Sequence, residues 1–529
     1  MLVPSSVGCG KSEASAPRLA PAGDGGVGAE SNAGGEGPSD GGASGTRPEA
    51  GGSAGPSVPA GAGESSGGQG GAAVDAAPTV LLRSISISQT LELPLMKGGA
   101  AVGVDERPAP LIAGKRALVR VFVDFEDGSA PRPLVGVLDV KNGNKSTRTI
   151  LSQRTLAKGS TQDDLASTFT FDVDGADLAT SSAYRVRILE EDTTLLARFP
   201  GADYQPLEPS TLPAFELVVV PFISNGLGPK TTETEMSSLR SRLLALYPSS
   251  DVAVTLAEAV TLPYVVNGDG DGWDSALDHI LEVRAQAKPA DNVFYFGAMA
   301  PDTSYSKYCS SSCILGYSFV ADEDDVESRG SIGITVFQDG SGVKDAWDTV
   351  AHELGHAMGR EHAPCGIDDP KDTDPDYPYD NGGMGTTYGY DFDLVRLIKP
   401  KPARDVMSYC TPVWISDYTY SAIFERLDSI ANQSFRALSF SPLQLFRVAR
   451  IRRDGQSAWQ GERRRRASSR RASVDLLDAA NRRLGSVEAQ VLRVDHGSGG
   501  QVFVPAEKLD QSGATSVDLR PLGGSILPL

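Results

Sequence analysis

The sequence predicts a protein of several parts: an N-terminal tether that does not fold, an α/β domain, and all-β sandwich domains on either side of it. Three observations carry this expectation. Residues 10 to about 76 are almost wholly Gly, Ala, Ser, Pro, Asp and Glu, with too few apolar side chains to offset the entropy of ordering them. Residues 77–213 and 436–529 contain short runs in which apolar and polar residues alternate between turn residues, the pattern of half-buried antiparallel strands. Residues 214–435 instead alternate strand-like and helix-like periods, the pattern of an α/β fold. At 529 residues the chain exceeds what one ordinary core accommodates.

The elements follow in order. The tether, 1–76 with its leading segment, opens on "MLVPSSVGCG", in which small residues precede Cys9. This resembles the lipidation box of bacterial lipoproteins, with Ser6 where an aliphatic residue is usual. The resemblance implies a lipid on Cys9 and a cell-surface or extracellular location in a bacterium. No run of about 18 apolar residues occurs, so a lipid anchor is the only membrane contact expected. From 77 to 213, "RALVRVFVDF", "LVGVLDV", "STFTFDV" and "YRVRIL" read as sandwich strands. In 214–435, "FELVVVPFI" reads as a buried strand and "ETEMSSLRSRLLALY" as a helix with Met236, Leu239, Leu243 and Leu244 on one face. "VAVTL" then reads as a strand and "DGWDSALDHILEVRAQA" as a second helix. "NVFYFGAM", "LGYSFV" and "SIGITVF" complete the sheet before a helix rich in histidine. Beyond 436, "ALSFSPLQLFRVARI", "SVDLLDA", "EAQVLRV" and "QVFVP" read as strands of a smaller β unit. Its basic run "RRRRASSRR", 463–471, has no interleaved aromatic residue and reads as a solvated loop.

Charge excludes one class of partner. A net charge of −19 and a pI near 4.8 leave no basic stripe to displace counterions from a polyanion. Nucleic acid is therefore not an expected partner. Of the five cysteines, Cys309, Cys313, Cys365 and Cys410 form an even central set, compatible either with disulfides in an exported domain or with four unrelated thiols.

The chemistry concentrates in "AHELGHAMGREHAPCG", 351–366, which holds three of the chain's five histidines. A helix advances about 100° per residue, so His352 and His356 leave one face a turn apart and can reach one ion. Trp347, Val350, Leu354 and Met358 fall on another stripe and can anchor the helix. Glu353 is aimed beside the ion rather than at it, where it can take a proton from water. Gly359 allows a sharp turn, and His362 arrives beyond it as a third ligand. Three neutral imidazoles leave a fourth position for water, as in catalytic rather than structural zinc (Zn2+) sites. The chain's composition would produce the extended pattern by chance with a probability on the order of 10⁻⁵ or less.

"HELGHAMGREH" resembles the zinc signature of the metzincin clan of metalloendopeptidases, and "DVMSYC", 405–410, resembles that clan's methionine turn. The resemblance covers about 214–435 and implies a metzincin-like catalytic domain. It gives Met407 the hydrophobic floor beneath the histidines and Tyr409 a contact to the metal or the oxyanion. Ala363, after the third histidine, stands where several branches carry an acidic residue. "GREHAPCG", the Asp/Pro/Tyr-rich insert, "DVMSYC" and "WISDYTY" look closest to secreted bacterial metzincins that cleave mucins. In this frame Cys365 and Cys410 both fall near the zinc floor, where a disulfide could lock the ligand loop to the methionine turn, the alternative being that either is free. Cys309 and Cys313 could close a small loop or hold a second metal. "NGDGDGWDSALD", 267–278, offers Asn267, Asp269, Asp271, Gly272 and Asp278 at EF-hand spacing, so calcium (Ca2+) is one reading and a helix-capping turn the other. The acidic insert at 368–380 is a calcium candidate no stronger than this one.

The expected function is hydrolysis of extracellular protein or glycoprotein by zinc-activated water with Glu353 as general base. "SIGITVF" would offer its edge to an extended substrate, as the matching strand does in the clan. The rival reading is a cell-surface adhesin that retains a zinc domain as a binding module while its β-sandwiches contact glycan or matrix, and such a binder would have no use for Glu353. No cysteine-switch motif is visible upstream.

Overall fold

The computed structural model describes residues 80–529 apart from 127–128, 144–146, 192–193, 311, 323–324, 343–345, 437–442, 466–469 and 497–498. Cys9 and the tether lie outside the described residues.

Alternating apolar residues build the first two sheets. Ser182–Glu190 buries every second side chain, as a strand with one face on a core must. It lies in a sheet ordered Gln205–Pro206, Ser182–Glu190, Arg132–Asn142, Thr147–Leu156, with Leu195–Phe199 also paired to Ser182–Glu190. The facing sheet is ordered Ala100–Ala101, Glu92–Lys97, Val80–Ser88, Ala117–Phe125, Phe169–Val173. Phe169, Phe171, Ile85, Val121 and Val186 fill the space between them.

The α/β sheet is ordered Val252–Leu256, Phe215–Ile223, Val293–Met299, Gly330–Ile334, Gly316–Ser318, with Val260–Thr261 also paired to Phe215–Ile223. Its pairings are parallel except the last, where Gly316–Ser318 runs antiparallel. Val293–Met299 is buried throughout, as expected of a strand covered on both faces. One face carries the helices Glu233–Leu246 and Ala346–Ala357 together with the sandwich, through Leu217, Val219, Phe294, Phe296, Leu239, Leu243, Val350 and Leu354. The other carries the helix Trp273–Ala287 and strands from the end of the chain, through Phe222, Tyr295, Leu277, Ile280, Phe446, Val448, Leu492 and Phe503.

Gly330–Ile334, the strand of "SIGITVF", is hydrogen-bonded on both sides. The sheet edge beside the histidine helix is Gly316–Ser318, from "LGYSFV", because the antiparallel strand adds outside its successor. This corrects which strand is the edge. The last sheet has seven antiparallel strands, ordered Ser457–Arg465, Gln444–Ile451, Gly500–Pro505, Arg483–Arg493, Arg471–Leu477, Ser516–Asp518, Ile526–Pro528.

Residues 466–469 of the basic run lie outside the described residues, and its described ends depart from the expected solvated form. Arg463 and Arg465 lie in a strand, and they pair with Glu327 at 3.2 Å and Asp325 at 3.1 Å. Arg470 reaches Glu361 at 3.2 Å. An acidic neighbouring surface draws these arginines in, so they fasten the last sheet to the α/β region.

Candidate metal centre

The histidine helix is fixed before any ligand is considered. Val350, Leu354 and Met358 are buried against the sheet, each contributing roughly 1.5–3 kcal/mol by leaving water, while Trp347 packs half-buried. The helix stops because Gly359 takes φ +84°. Its N–H donates to His356 O at 2.7 Å, and Arg360 N–H donates to Gly355 O at 3.0 Å. A Cβ on Gly359 would press on Ala321 O at 2.7 Å, so glycine satisfies both the handedness and the space. The turn sends His362 back toward the helix.

Each imidazole is oriented by its far nitrogen. His352 Nδ1 is 2.7 Å from Val406 O, His356 Nδ1 is 2.6 Å from Arg360 O, and His362 Nδ1 is 3.0 Å from Asp372 O. Carbonyls only accept, so Nδ1 carries the proton and donates, and each Nε2 keeps a bare lone pair. The three Nε2 atoms converge, His356 lying 3.0 Å from His352 and 3.1 Å from His362. Burial holds His352 down to about 4 and pushes His356 and His362 well below the usual histidine range, neighbouring imidazoles adding to the effect for both. Three converging lone pairs without a proton between them call for a cation. The spacing suits donors around one ion at roughly 2.0–2.1 Å.

The methionine turn closes the floor. Asp405 is fully buried and its carboxylate accepts from Met407 N and Ser416 N, both at 2.8 Å. Met407 Sδ lies over Gly355, where a Cβ would collide with it. Ala363 N–H donates to Met407 O at 2.9 Å and Tyr409 N–H to Cys365 O at 3.0 Å, and Cys365 is bonded to Cys410. The ligand loop and the turn are thus zipped by backbone and by disulfide. Ala363 is fully buried in this seam, where a carboxylate would be stranded. Tyr409 brings its hydroxyl 2.9 Å from His362 Nε2.

Glu353 sits beside the three nitrogens with its carboxylate against Gly316 of the edge strand, where any side chain would collide with it. Burial and the neighbouring Asp495 carboxylate push Glu353 well above the usual range. Asp495 and His496, which follow the strand Arg483–Arg493, escaped the sequence reading. A carboxylate oxygen of Asp495 lies 3.8 Å from His356 Nε2, and Tyr409's hydroxyl lies 2.8 Å from His496 Nδ1. The fourth position, expected to be open, is therefore faced by Asp495. The available signal was scarcity: His496 is one of only five histidines, and it follows an aspartate.

The donor set fits a divalent ion. Glu353 Oε2 and Asp495 Oδ2 are buried and accept no hydrogen bond, and His496 Nε2 lies 3.4 Å from Asp495 Oδ2, so a shared proton, a protonated His496 or a bound cation is needed to reconcile the two carboxylates. His352, His356 and His362 would hold the ion.

Residues 329–413 match the model of the Peptidase M66 family. The matched stretch contains the three histidines, Glu353, Met407 and Tyr409, and it supports a metallopeptidase. Among solved structures, the chain is similar to metalloproteinase-II from Bacteroides fragilis at 12% identity and a TM-score of 0.23, over 60% of this chain and 85% of that one. It is also similar to a calcium-binding mutant of Bacteroides uniformis beta-glucuronidase 2 at 10% identity and a TM-score of 0.16, over 42% of this chain and 29% of that one. Both scores are too low to bear on function. No curated protein matches the chain.

The remaining candidates resolve differently. Cys309 is bonded to Cys313, closing a small loop, so neither thiol is free for a second metal. In 267–278, Asp278 pairs with Arg450 at 3.1 Å, and Asp274 pairs with the same guanidinium at 2.8 Å. The side chain expected to close a calcium loop is thus an ion-pair partner. Asn267, Asp269 and Asp271 form a turn: Asn267 N–H donates to Asp271 O at 3.0 Å, and Asp271 N–H to Asp269 Oδ1 at 3.3 Å. Gly272, at φ +83°, leads into the helix. In the acidic insert Asp374 pairs with Arg360 at 2.8 Å. Among the described residues, no group of three ligands forms in either segment.

Proposed function

We propose that the chain is a zinc-dependent, metzincin-like endopeptidase that hydrolyses extracellular proteins or glycoproteins. The observation that carries this reading is the convergence of three Nδ1-anchored imidazoles beside a buried carboxylate that is not needed to complete them. Zinc, when bound there, supplies Lewis acidity toward water and the scissile carbonyl. Glu353 takes the proton of the attacking water and later delivers it to the leaving amine, its carboxylate standing beside the three Nε2 atoms without being needed to complete them. Tyr409 can turn its hydroxyl toward the developing oxyanion. Met407 and Asp405 hold the floor that keeps His352 and His356 in place. Gly316–Ser318 is the edge on which an extended peptide would pair. Two disulfides suit an oxidising compartment, and the match to lipoprotein leaders at Cys9 suits display outside the cell.

The test is the full chain loaded with one zinc, assayed on casein and on a mucin. Glu353→Gln should lower cleavage by about 10²–10⁴-fold with zinc content unchanged. Measurable cleavage by the parent that is undiminished in Glu353→Gln would sink the mechanism.

A further inference from the structure

Asp495 and His496 have no part in the mechanism above, yet they lie at its centre. Their approach is specific. Arg493–Asp495 runs antiparallel beside residues 318–320: Val320 N–H donates to Arg493 O at 2.9 Å, Phe319 bridges Val494, and Asp495 N–H donates to Ser318 O at 3.0 Å. These are the backbone groups of the sheet edge on which a substrate strand would add. Asp495 Oδ1 accepts from Ser318 N at 3.1 Å, which fixes the side chain. Oδ2 is left aimed at the histidines, 3.4 Å from His496 Nε2 and 3.8 Å from His356 Nε2, on a side chain with 0% exposure and with no hydrogen bond to it. A carboxylate oxygen of Asp495 is also within 4.8 Å of donor atoms of Glu353, His362 and His496.

A buried carboxylate costs several kcal/mol unless a positive charge meets it. Among the described residues the basic side chain against Asp495 is His496, 3.4 Å from Oδ2 on a ring 20% exposed, while Arg450 is paired with Asp274 and Asp278 and Arg465 with Asp325. A divalent ion among three neutral imidazoles supplies two positive charges, which Glu353 and Asp495 together balance. His496 adds a second hold, its ring stacked parallel on Tyr317 and its Nδ1 engaging the Tyr409 hydroxyl.

We propose that Asp495 is a fourth protein ligand of the metal and that Arg493–His496 occupies the substrate's place on the edge strand, so that this conformation is a latent peptidase. The inference rests on the three-histidine reading of function. Cleavage requires Arg493–His496 to leave the edge, exposing the same backbone groups and the fourth position to a substrate and to water. The segment belongs to the sheet after the catalytic region, so latency needs no leader peptide.

Asp495→Asn in the full chain tests this, since it keeps an oxygen for Ser318 N–H and removes the anionic ligand. Asp495→Ser is the second variant should the first fail to fold, both being checked by thermal melting. The zinc-loaded variant should yield its metal to a chelator at least roughly tenfold more readily, the smallest loss expected even for a contact that merely supports a ligand. With Co2+ in place of zinc its visible bands should shift, and it should cleave casein faster than the parent. Glu353→Gln in the same background should erase that gain. Unchanged metal affinity and an unchanged cobalt spectrum overturn the ligation, and cleavage no faster than the parent's overturns the latency. If His356→Ala in the parent keeps its zinc, the three-histidine reading fails instead, a result distinct from both.

Discussion

The N-terminal sandwich and the C-terminal sheet have the same signature in sequence, alternating apolar residues between turns, and they pack on opposite faces of the same α/β sheet. Their relation to the metal centre differs. The sandwich meets the helical region through a shared apolar core and through polar contacts that lie away from the histidines: Glu92 N–H donates to Tyr388 O at 2.8 Å, Trp414 Nε1–H to Thr90 O at 3.2 Å, Lys115 Nζ to Leu244 O at 2.8 Å, and Lys399 pairs with Asp163 at 3.0 Å. Among the described residues none of its side chains joins the metal-ligand groups. The C-terminal sheet contributes Asp495 and His496 directly. Two modules that look alike as patterns of burial can thus be a support and a participant, and what separates them is the residue just past one strand end.

Buried arginines give the sharpest break of this comparison. Arg120 pairs with Glu92 in the sandwich and Arg450 with Asp274 and Asp278 at the C-terminal contact, both guanidiniums being almost fully buried. Arg120→Met and Arg450→Met should each cost about 3–5 kcal/mol in denaturant unfolding by leaving partly buried carboxylates without their guanidinium. Only Arg450→Met should also loosen zinc in chelator competition, because that arginine seats the sheet that delivers Asp495. Equal loosening in Arg120→Met would erase the distinction. Between the two flanks, replacing both Cys365 and Cys410 by Ser opens a loop of sequence separation 45 and should cost up to about 4 kcal/mol through chain entropy. Zinc affinity should fall too, since the staple joins the loop of His362 to the turn of Met407. Gly355→Ala places a methyl into Met407 and should cost roughly 1–3 kcal/mol by overpacking. Thermal melting of the metal-free and zinc-loaded chains would show whether the loss is larger with metal bound.

The last effect belongs to the sandwich side and to pH. Burial lowers Lys115 from 10.5 to about 7. Below that value the lysine is protonated folded and unfolded; above it, up to 10.5, the unfolded chain holds the extra proton. Stability should therefore rise with pH across that window, with a slope of at most about 1.4 kcal/mol per unit from this group. Lys115→Met should flatten the slope without changing zinc affinity, measured by unfolding at pH 7 and pH 9.

Much of this organisation is legible in the residues themselves. Helical spacing alone puts His352 and His356 together, glycine's freedom at φ > 0 explains Gly359, and a long apolar run marks Val293–Met299 as doubly covered. Those features are local, set within a few residues of chain. The features that escaped are not. Which strand forms the sheet edge depends on Gly316–Ser318 folding outside its successor, which no pattern in "SIGITVF" records. Gly355 reads as an unremarkable helix glycine until Met407 lies on it, and Arg465 as a loop cation until Asp325 faces it. Asp495 and His496 reach the centre only through the pairing of a distant strand, and a side chain past a strand end leaves no periodic trace.

The Cys365–Cys410 bond has one more consequence, if the proposed peptidase meets its own copies. Leu394 and Val395 are among its most exposed large apolar side chains, and they lie between the two cysteines. A single cut there would put the three histidines on one fragment and Met407, Tyr409 and Asp495 on the other. The sulfur bridge keeps the fragments in one piece, so a nicked molecule should migrate intact on a gel until a reductant is added, and the ligand loop should stay on its floor after its backbone is broken.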